Sequence, residues 1–381
     1  MQQALGSVWD ELVSATGRHG VERLGVTTAD AFPEVEAELE RRTADGSRRG
    51  LGFTYTAPRI ATNPRVGFPW ARRLIVGGRP YLPGAGTPAS GLPGTGRIAR
   101  FAVGDAYEPL RAGLEAAGEV LRSHGFEAVV LCDDSRLVDR AAAVRAGVGW
   151  WGRNAMVLAP GAGPWMLLGS IVTDAPFGPT PRMERDCGTC TACLPACPTG
   201  ALVAPGVLDA RLCLAAWAQA PGVIPRELRP AMGDRIYGCD DCLEACPPGG
   251  RLLAASGEPR GSVDLGSLLQ ASDAELKKAF GHLYLPGRRP RVLRRNALVA
   301  LANTGDERHH AMVLGYLGHP DWLLRLHAAW AAAILVGDGA GPFLEVALDR
   351  EARSEVAAEI SWAIGEVSRR PAGRRPARST P

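Results

Sequence analysis

Cys187, Cys190, Cys193 and Cys197 follow the pattern C-x2-C-x2-C-x3-C, closed by Pro198. This spacing lets three thiolates take three iron corners of one [4Fe–4S] cubane, while the fourth, displaced by the proline, points at a neighbouring cluster. A shorter run, Cys239, Cys242 and Cys246 before Pro247, lacks one ligand, and Cys213 lies between the runs to supply it. Crossing the runs assigns Cys187, Cys190, Cys193 and Cys246 to one cluster, and Cys197, Cys213, Cys239 and Cys242 to the other. Two zinc sites are the alternative, but zinc ribbons seldom place three cysteines so closely before Cys-Pro. Two cubanes bridged by crossed ligands suit electron relay. Cys132, the ninth cysteine, ends an apolar strand and reads as a buried small hydrophobe.

A relay needs an acceptor. Gly84-Ala-Gly-Thr-Pro-Ala has the letters of a dinucleotide loop, but Pro88 interrupts it and no strand-to-helix unit surrounds it, so no NAD site is expected. None of the seven histidines stands in an Asp-x-His-x-x-Gly setting, which speaks against cobalamin held through a lower-axial histidine. The stretch from Cys132 to Asn154 looks chemical. Asp139 opens a short helix that ends at Gly147, and the loop Gly149-Trp-Trp-Gly-Arg-Asn can approach a flat cofactor closely. On local sequence alone, Asp139 reads as a helix cap and Asp133 and Asp134 as turn residues.

The elements that must position these groups fall into three stretches. Residues 1–180 read as α/β: Arg72–Gly78, Phe126–Cys132 and Trp165–Thr173 are strand-like, and Leu110, Leu114, Ala117 and Leu121 share one helical face. The Gly- and Pro-rich segment Pro83–Gly96 reads as a surface loop or lid. Residues 181–255 have the composition of a small ferredoxin-like domain built around inorganic centres. Residues 256–368 read as all-α: segments beginning at Arg295 and Arg325 lie about 30 residues apart, a period of stacked HEAT-like helix pairs. Residues 369–381 form a basic tail.

A net charge of +3 does not by itself argue for nucleic acid, but Arg288, Arg289, Arg291, Arg294 and Arg295 crowd together, and five more arginines run from Arg369 to Arg378. Such clusters can follow a phosphate backbone or can be a solvated face and tail. The N-terminus shows no export signal and no apolar run reaches the roughly 20 residues of a membrane span, so a cytoplasmic protein is expected.

Several motifs, in order across about residues 50–335, resemble the epoxyqueuosine reductase family. They are Asp139-Arg-Ala, Arg145-Ala-Gly-Val-Gly-Trp-Trp-Gly-Arg-Asn, Thr173-Asp-Ala-Pro-Phe, the Cys187 run continuing into Pro198-Thr-Gly-Ala-Leu, Tyr237-Gly-Cys-Asp-Asp-Cys, and Arg294-Arg-Asn-Ala-Leu. The resemblance implies a nitroreductase-like α/β domain holding base-off cobalamin, two [4Fe–4S] clusters beside it, and a tRNA substrate. It implies reduction of epoxyqueuosine in the anticodon loop to queuosine, the last step of that pathway, by a monomer fed by a separate electron donor. Asp139 stands at the family's proton donor. A carboxyl group under a corrin is desolvated and its pKa rises, which reverses the capping reading. The resemblance also offers Arg59, Gly163, Asp174, Phe177, Ala216 and Asp240 as cobalamin contacts, and makes Arg288, Arg289, Arg291, Arg294 and Arg295 a surface for tRNA. Two departures stand out: Ala106-Tyr107-Glu108 replaces the family's Asp-Tyr-His, and Asp133-Asp134-Ser135 its Asp-Thr-Gly. The alternatives are a corrinoid reductive dehalogenase, which would share cobalamin and paired clusters, and a non-enzymatic iron–sulfur RNA-binding scaffold.

Overall fold

The computed structural model describes residues 2–49, 51–82, 92–256 and 261–369. Most of the Pro83–Gly96 segment and the basic tail beyond Arg369 lie outside these residues. The chain divides into two compact units, each discontinuous in sequence: Met1–Gly84, Gly104–Arg211 and Asp240–Gly257 form one, and Ala85–Val103, Leu212–Cys239 and Glu258–Pro381 the other. The cysteine-rich stretch 181–255 is therefore not a body of its own. Its middle segment has apolar side chains that need a larger core: Leu214, Trp217, Ile224, Leu228 and Met232 are buried among residues of the helical unit.

The first unit is built on a four-stranded antiparallel sheet, with β1 (Arg23–Thr28), β2 (Arg73–Pro80), β3 (Ala128–Cys132) and β4 (Met166–Thr173) in the order β1-β2-β4-β3. Register places Gly77 opposite Gly169 and Gly169 opposite Cys132. A Cβ on Gly77 or Gly169 would come within 2.9 or 2.6 Å of Leu114, so the glycines let the helix Tyr107–Ser123 settle close onto the sheet. That helix buries Leu110, Leu114, Ala117 and Leu121, the face expected from their spacing.

Helix Asp139–Arg145 presses in through Ala141, Ala142 and Ala143, all buried. A Cβ on Gly25 would lie 2.0 Å from the Ala146 carbonyl oxygen. The helix is pinned at its C-terminal end by Arg145, which lies 3.4 Å over the Phe32 ring and donates to the carbonyls of Thr28 (2.8 Å), Asp30 (2.8 Å) and Ala31 (3.1 Å). Fixing that end fixes the place of Asp139 at the other.

In the second unit, helix Arg291–Thr304 packs on Trp322–Leu335, which packs on Ser354–Arg369. His310–Gly315 and Gly341–Arg350 form the outer partners of this layer, as the 30-residue period predicts. A small sheet, Arg235–Tyr237, Thr95–Ile98 and Gly261–Asp264, adjoins them. Glu359, 5% exposed, accepts from Arg226 (2.9 Å) and Arg229 (2.7 Å) and so ties the 212–239 segment to the last helix. Among the described residues no helix is long and apolar enough to cross a membrane.

Candidate redox and acid–base site

Four thiols of the first unit surround one cavity of about 270 Å3: those of Cys187, Cys190, Cys193 and Cys246. The loop reaches this arrangement through tight local bonds. Gly188, at φ +52, donates to Asp186 Oδ1 (2.6 Å), Cys190 N–H donates to the Cys187 carbonyl (3.0 Å), and Arg153 Nη2 clamps the Gly188 carbonyl (2.6 Å). Cys246 caps the helix Pro247–Ala255. Burial, with Cys187 and Cys193 nearby, pushes its thiol up to about 12, so a cation is needed to hold the thiolate. Four thiols around one cavity suit a multi-iron cluster. All nine cysteines are free of disulfides. Of the other four proposed ligands, Cys197 and Cys242 belong to the first unit and Cys213 and Cys239 to the second. Cys197 Sγ already accepts from Ala201 N–H at 3.2 Å.

Asp139 is the first residue of its helix, and its Oδ1 is buried without any hydrogen-bond partner. It is therefore not spent on capping: the N-cap is Val138, which has no side-chain bond to give. Burial holds the Asp139 carboxyl well above its usual range; Asp133 and Asp134 push it the same way, and Arg140 opposes them. Asp133, at φ +52, is raised by its own burial. Cys132 is pushed up to about 12, and the Tyr107 phenol is raised by burial beside Asp133, Asp139 and Cys132. The shifts of Asp139, Asp133, Cys132 and Tyr107 thus all run toward the protonated form. Tyr107 and Cys132 are members that sequence reading did not select; the signal for Tyr107 was its place in the altered Ala106-Tyr107-Glu108 triplet. In that triplet Asp105 Oδ1 accepts from both Tyr107 N–H (3.1 Å) and Glu108 N–H (3.0 Å), supplying the helix cap one residue upstream of the family's aspartate.

The other expected cofactor contacts do not gather around Asp139. Asp174 Oδ1 accepts from Glu127 N–H (2.9 Å), and Phe177 is buried edge-on against Trp9, with ring centroids 5.6 Å apart. Both follow the Thr173 end of β4, whereas Cys132 pairs with Gly169, four residues and roughly 13 Å up the strand. The contacts the structure gives these two are with the fold. Gly163, at φ +57, is a close-packing glycine: a Cβ there would lie 2.3 Å from the Gly249 nitrogen. Arg59 is exposed on the short helix Pro58–Thr62. Ala216 is half-buried on helix Leu214–Gln219, and Asp240 is the N-cap of Asp241–Glu244.

The arginine cluster separates by burial. Arg288 and Arg289 are exposed, and Arg291 lies 3.5 Å from Asp321. Arg294 pairs with Asp273 and donates to the Ala271 carbonyl (2.7 Å). Arg295, wholly buried, donates to the carbonyls of Trp217 (2.7 Å), Ala220 (2.9 Å) and Gly222 (2.6 Å). Arg294 and Arg295 are corrected to structural cations that satisfy carbonyls at and just beyond helix C-terminal ends inside the unit. Tyr284, 67% exposed on the same loop as Arg288, is a surface aromatic that the charge pattern could not reveal.

Residues 186–249 match the 4Fe-4S double cluster binding domain family, and residues 285–365 match HEAT repeats. The epoxyqueuosine reductase of Bacillus cereus is 32% identical over 356 residues, covering 90% of this chain and 93% of its own. A crystal structure of epoxyqueuosine reductase with a tRNA-Tyr epoxyqueuosine-modified stem loop superposes with a TM-score of 0.87 at 31% identity, over 95% of this chain and 99% of that one. The Bacillus subtilis enzyme, solved with its catalytic aspartate loop swung out of the active site, gives 0.87 at 30% identity, over 94% and 99%. The chain belongs to the epoxyqueuosine reductase family and is an oxidoreductase.

Proposed function

We propose that this protein reduces epoxyqueuosine in a tRNA anticodon loop to queuosine, with Asp139 as the proton donor. The observation that carries the role of Asp139 is its Oδ1, buried without a hydrogen-bond partner in surroundings that raise the carboxyl's pKa. Removing an epoxide oxygen to leave a carbon–carbon double bond consumes two electrons and two protons, the oxygen leaving as water. A neutral carboxylic acid at the reacting oxygen meets one of those protons without first having to acquire it from solvent. Arg145 holds the acid's helix in place, and the negative charges of Asp133 and Asp134 disfavour ionisation of Asp139.

Cys187, Cys190, Cys193 and Cys246 would hold one [4Fe–4S] cluster and Cys197, Cys213, Cys239 and Cys242 the other, and such clusters would supply electrons one at a time. Cobalamin, base-off as the family resemblance implies, would supply redox chemistry at cobalt when bound. The orphaned Asp139 Oδ1 fits such a cofactor, because a polar atom left bare in the protein needs a partner from outside it. The sheet and its two flanking helices then serve as a nitroreductase-like frame. Arg59, Ala216 and Asp240 remain candidate contacts; the fold accounts for Gly163.

The tRNA backbone would meet Arg288, Arg289 and Arg291, with Tyr284 offering a ring for a splayed base. A tRNA substrate places the reaction in the cytoplasm, with the chain acting as a monomer on electrons from a separate donor. Counting iron, sulfide and cobalt in protein reconstituted anaerobically with cobalamin tests the cofactor set. Eight irons and one cobalt per chain are expected, and cobalt-free protein that turns over would overturn the corrin.

A further inference from the structure

The loop Trp150–Asn154 contributes two polar groups to the four-thiol cavity that nothing in the protein satisfies. Trp150 is 6% exposed and Asn154 4%, both side chains line the cavity, and both Trp150 Nε1 and Asn154 Nδ2 are buried without a hydrogen-bond partner. Asn154 has no freedom to turn its amide round. Its Oδ1 accepts from Met156 N–H at 3.1 Å, in a turn where a Cβ on Gly152 would lie 2.5 Å from that oxygen. The Trp150 ring is set by packing with Leu158, Cys246 and Cys187, and by Arg185 at 5.7 Å from its centroid. Leaving two N–H donors bare in a protein interior is costly, so their retention at the same cavity asks for an acceptor there. Sulfur of a cluster and its thiolates is that acceptor.

We propose that Trp150 and Asn154 are positioning residues that donate N–H···S hydrogen bonds to the cluster held by Cys187, Cys190, Cys193 and Cys246, and thereby raise its reduction potential. The inference rests on that cluster assignment. Reduction adds one negative charge to the cluster, and N–H dipoles aimed at its sulfurs stabilise the reduced form more than the oxidised one. The two donors therefore make this cluster easier to reduce than it would be without them.

The test uses the full chain with both clusters reconstituted, comparing wild type with Trp150→Phe, which keeps a ring, and Asn154→Asp, which keeps the acceptor for Met156 while removing the donor. Potentiometric titration followed by EPR should show one cluster's midpoint falling in each variant. A lost bond is expected to shift the reduced-to-oxidised balance roughly tenfold, about 59 mV for a one-electron couple, while the other cluster's midpoint stays in place. Pulsed EPR after exchange into D2O should lose one exchangeable deuteron coupling in each variant. Unchanged midpoints and couplings at full iron content would overturn the inference while leaving the cluster assignment intact. Cys187→Ser protein that retains the full iron content of wild type would overturn the assignment, and this inference with it.

Discussion

Replacing Asp139 by asparagine leaves the shape of the site almost untouched and removes one exchangeable acid proton. No hydrogen bond is lost at Oδ1, because none exists, and the helix remains anchored by Arg145 at its far end. The loss should fall on the chemical step. A positioned proton donor contributes about 10²–10⁴ in rate, which is roughly 2.7–5.5 kcal/mol of barrier. Single-turnover conversion of epoxyqueuosine tRNA by prereduced enzyme should slow by that factor, with iron and cobalt content unchanged. The pH profile follows from the direction of the shift. The carboxyl is raised in the folded chain by burial, then by Asp133 and Asp134 against Arg140, so the acid form prevails below the folded value. The wild-type rate should hold at low pH and fall as pH rises through that value. The variant should lack this limb. Stability carries the same signature: the carboxyl's contribution is fullest below the unfolded value near 3.9 and declines by about 1.4 kcal/mol per pH unit until the folded value is passed. Asp139→Asn should therefore gain stability relative to wild type as pH rises through that window, while the raised Asp133 acts alike in both. A single-turnover rate within threefold of wild type, or an unchanged pH limb, would refute the acid role.

Other outcomes are equally specific. Arg288→Gln with Arg289→Gln should weaken tRNA binding and lower the slope of log K against log salt by about 1.4 if each meets one single-stranded phosphate; an unchanged slope removes this surface from the interface. Arg295→Leu should lower thermal stability by about 3 kcal/mol or more, because three buried carbonyls lose their donor; weaker tRNA binding at wild-type stability would show that it was misplaced as structural. Cys132, held up to about 12 by burial, should resist iodoacetamide at neutral pH in the loaded protein. Rapid alkylation at that residue would show the site to be open and its thiol activated.

The meeting of Cys187, Cys190, Cys193 and Cys246 at one cavity was legible because thiolate spacing is a local code: three cysteines two residues apart and a Cys-Pro leave few geometries to choose from. Strand and helix positions were legible from periodicity, as Leu110, Leu114, Ala117 and Leu121 illustrate. Charge was not legible in the same way. Arg288 and Arg295 look alike in sequence, yet one faces solvent and the other sits in the core on three carbonyls, because burial depends on which turn of the helix meets the 212–239 segment. Asp174 and Phe177 were placed by their motif, and the antiparallel register carries them to the far end of β4 from Cys132. Trp150 and Asn154 were seen as part of a loop near a cofactor, but their bare N–H groups emerge only once the fold closes around the thiols.

The most direct test of the account is nucleoside mass analysis of epoxyqueuosine tRNA after incubation with anaerobically reconstituted, reduced protein. Conversion to queuosine, with loss of one oxygen, is predicted when both clusters and cobalamin are bound. Intact epoxyqueuosine after prolonged incubation with protein carrying eight irons and one cobalt per chain would contradict it.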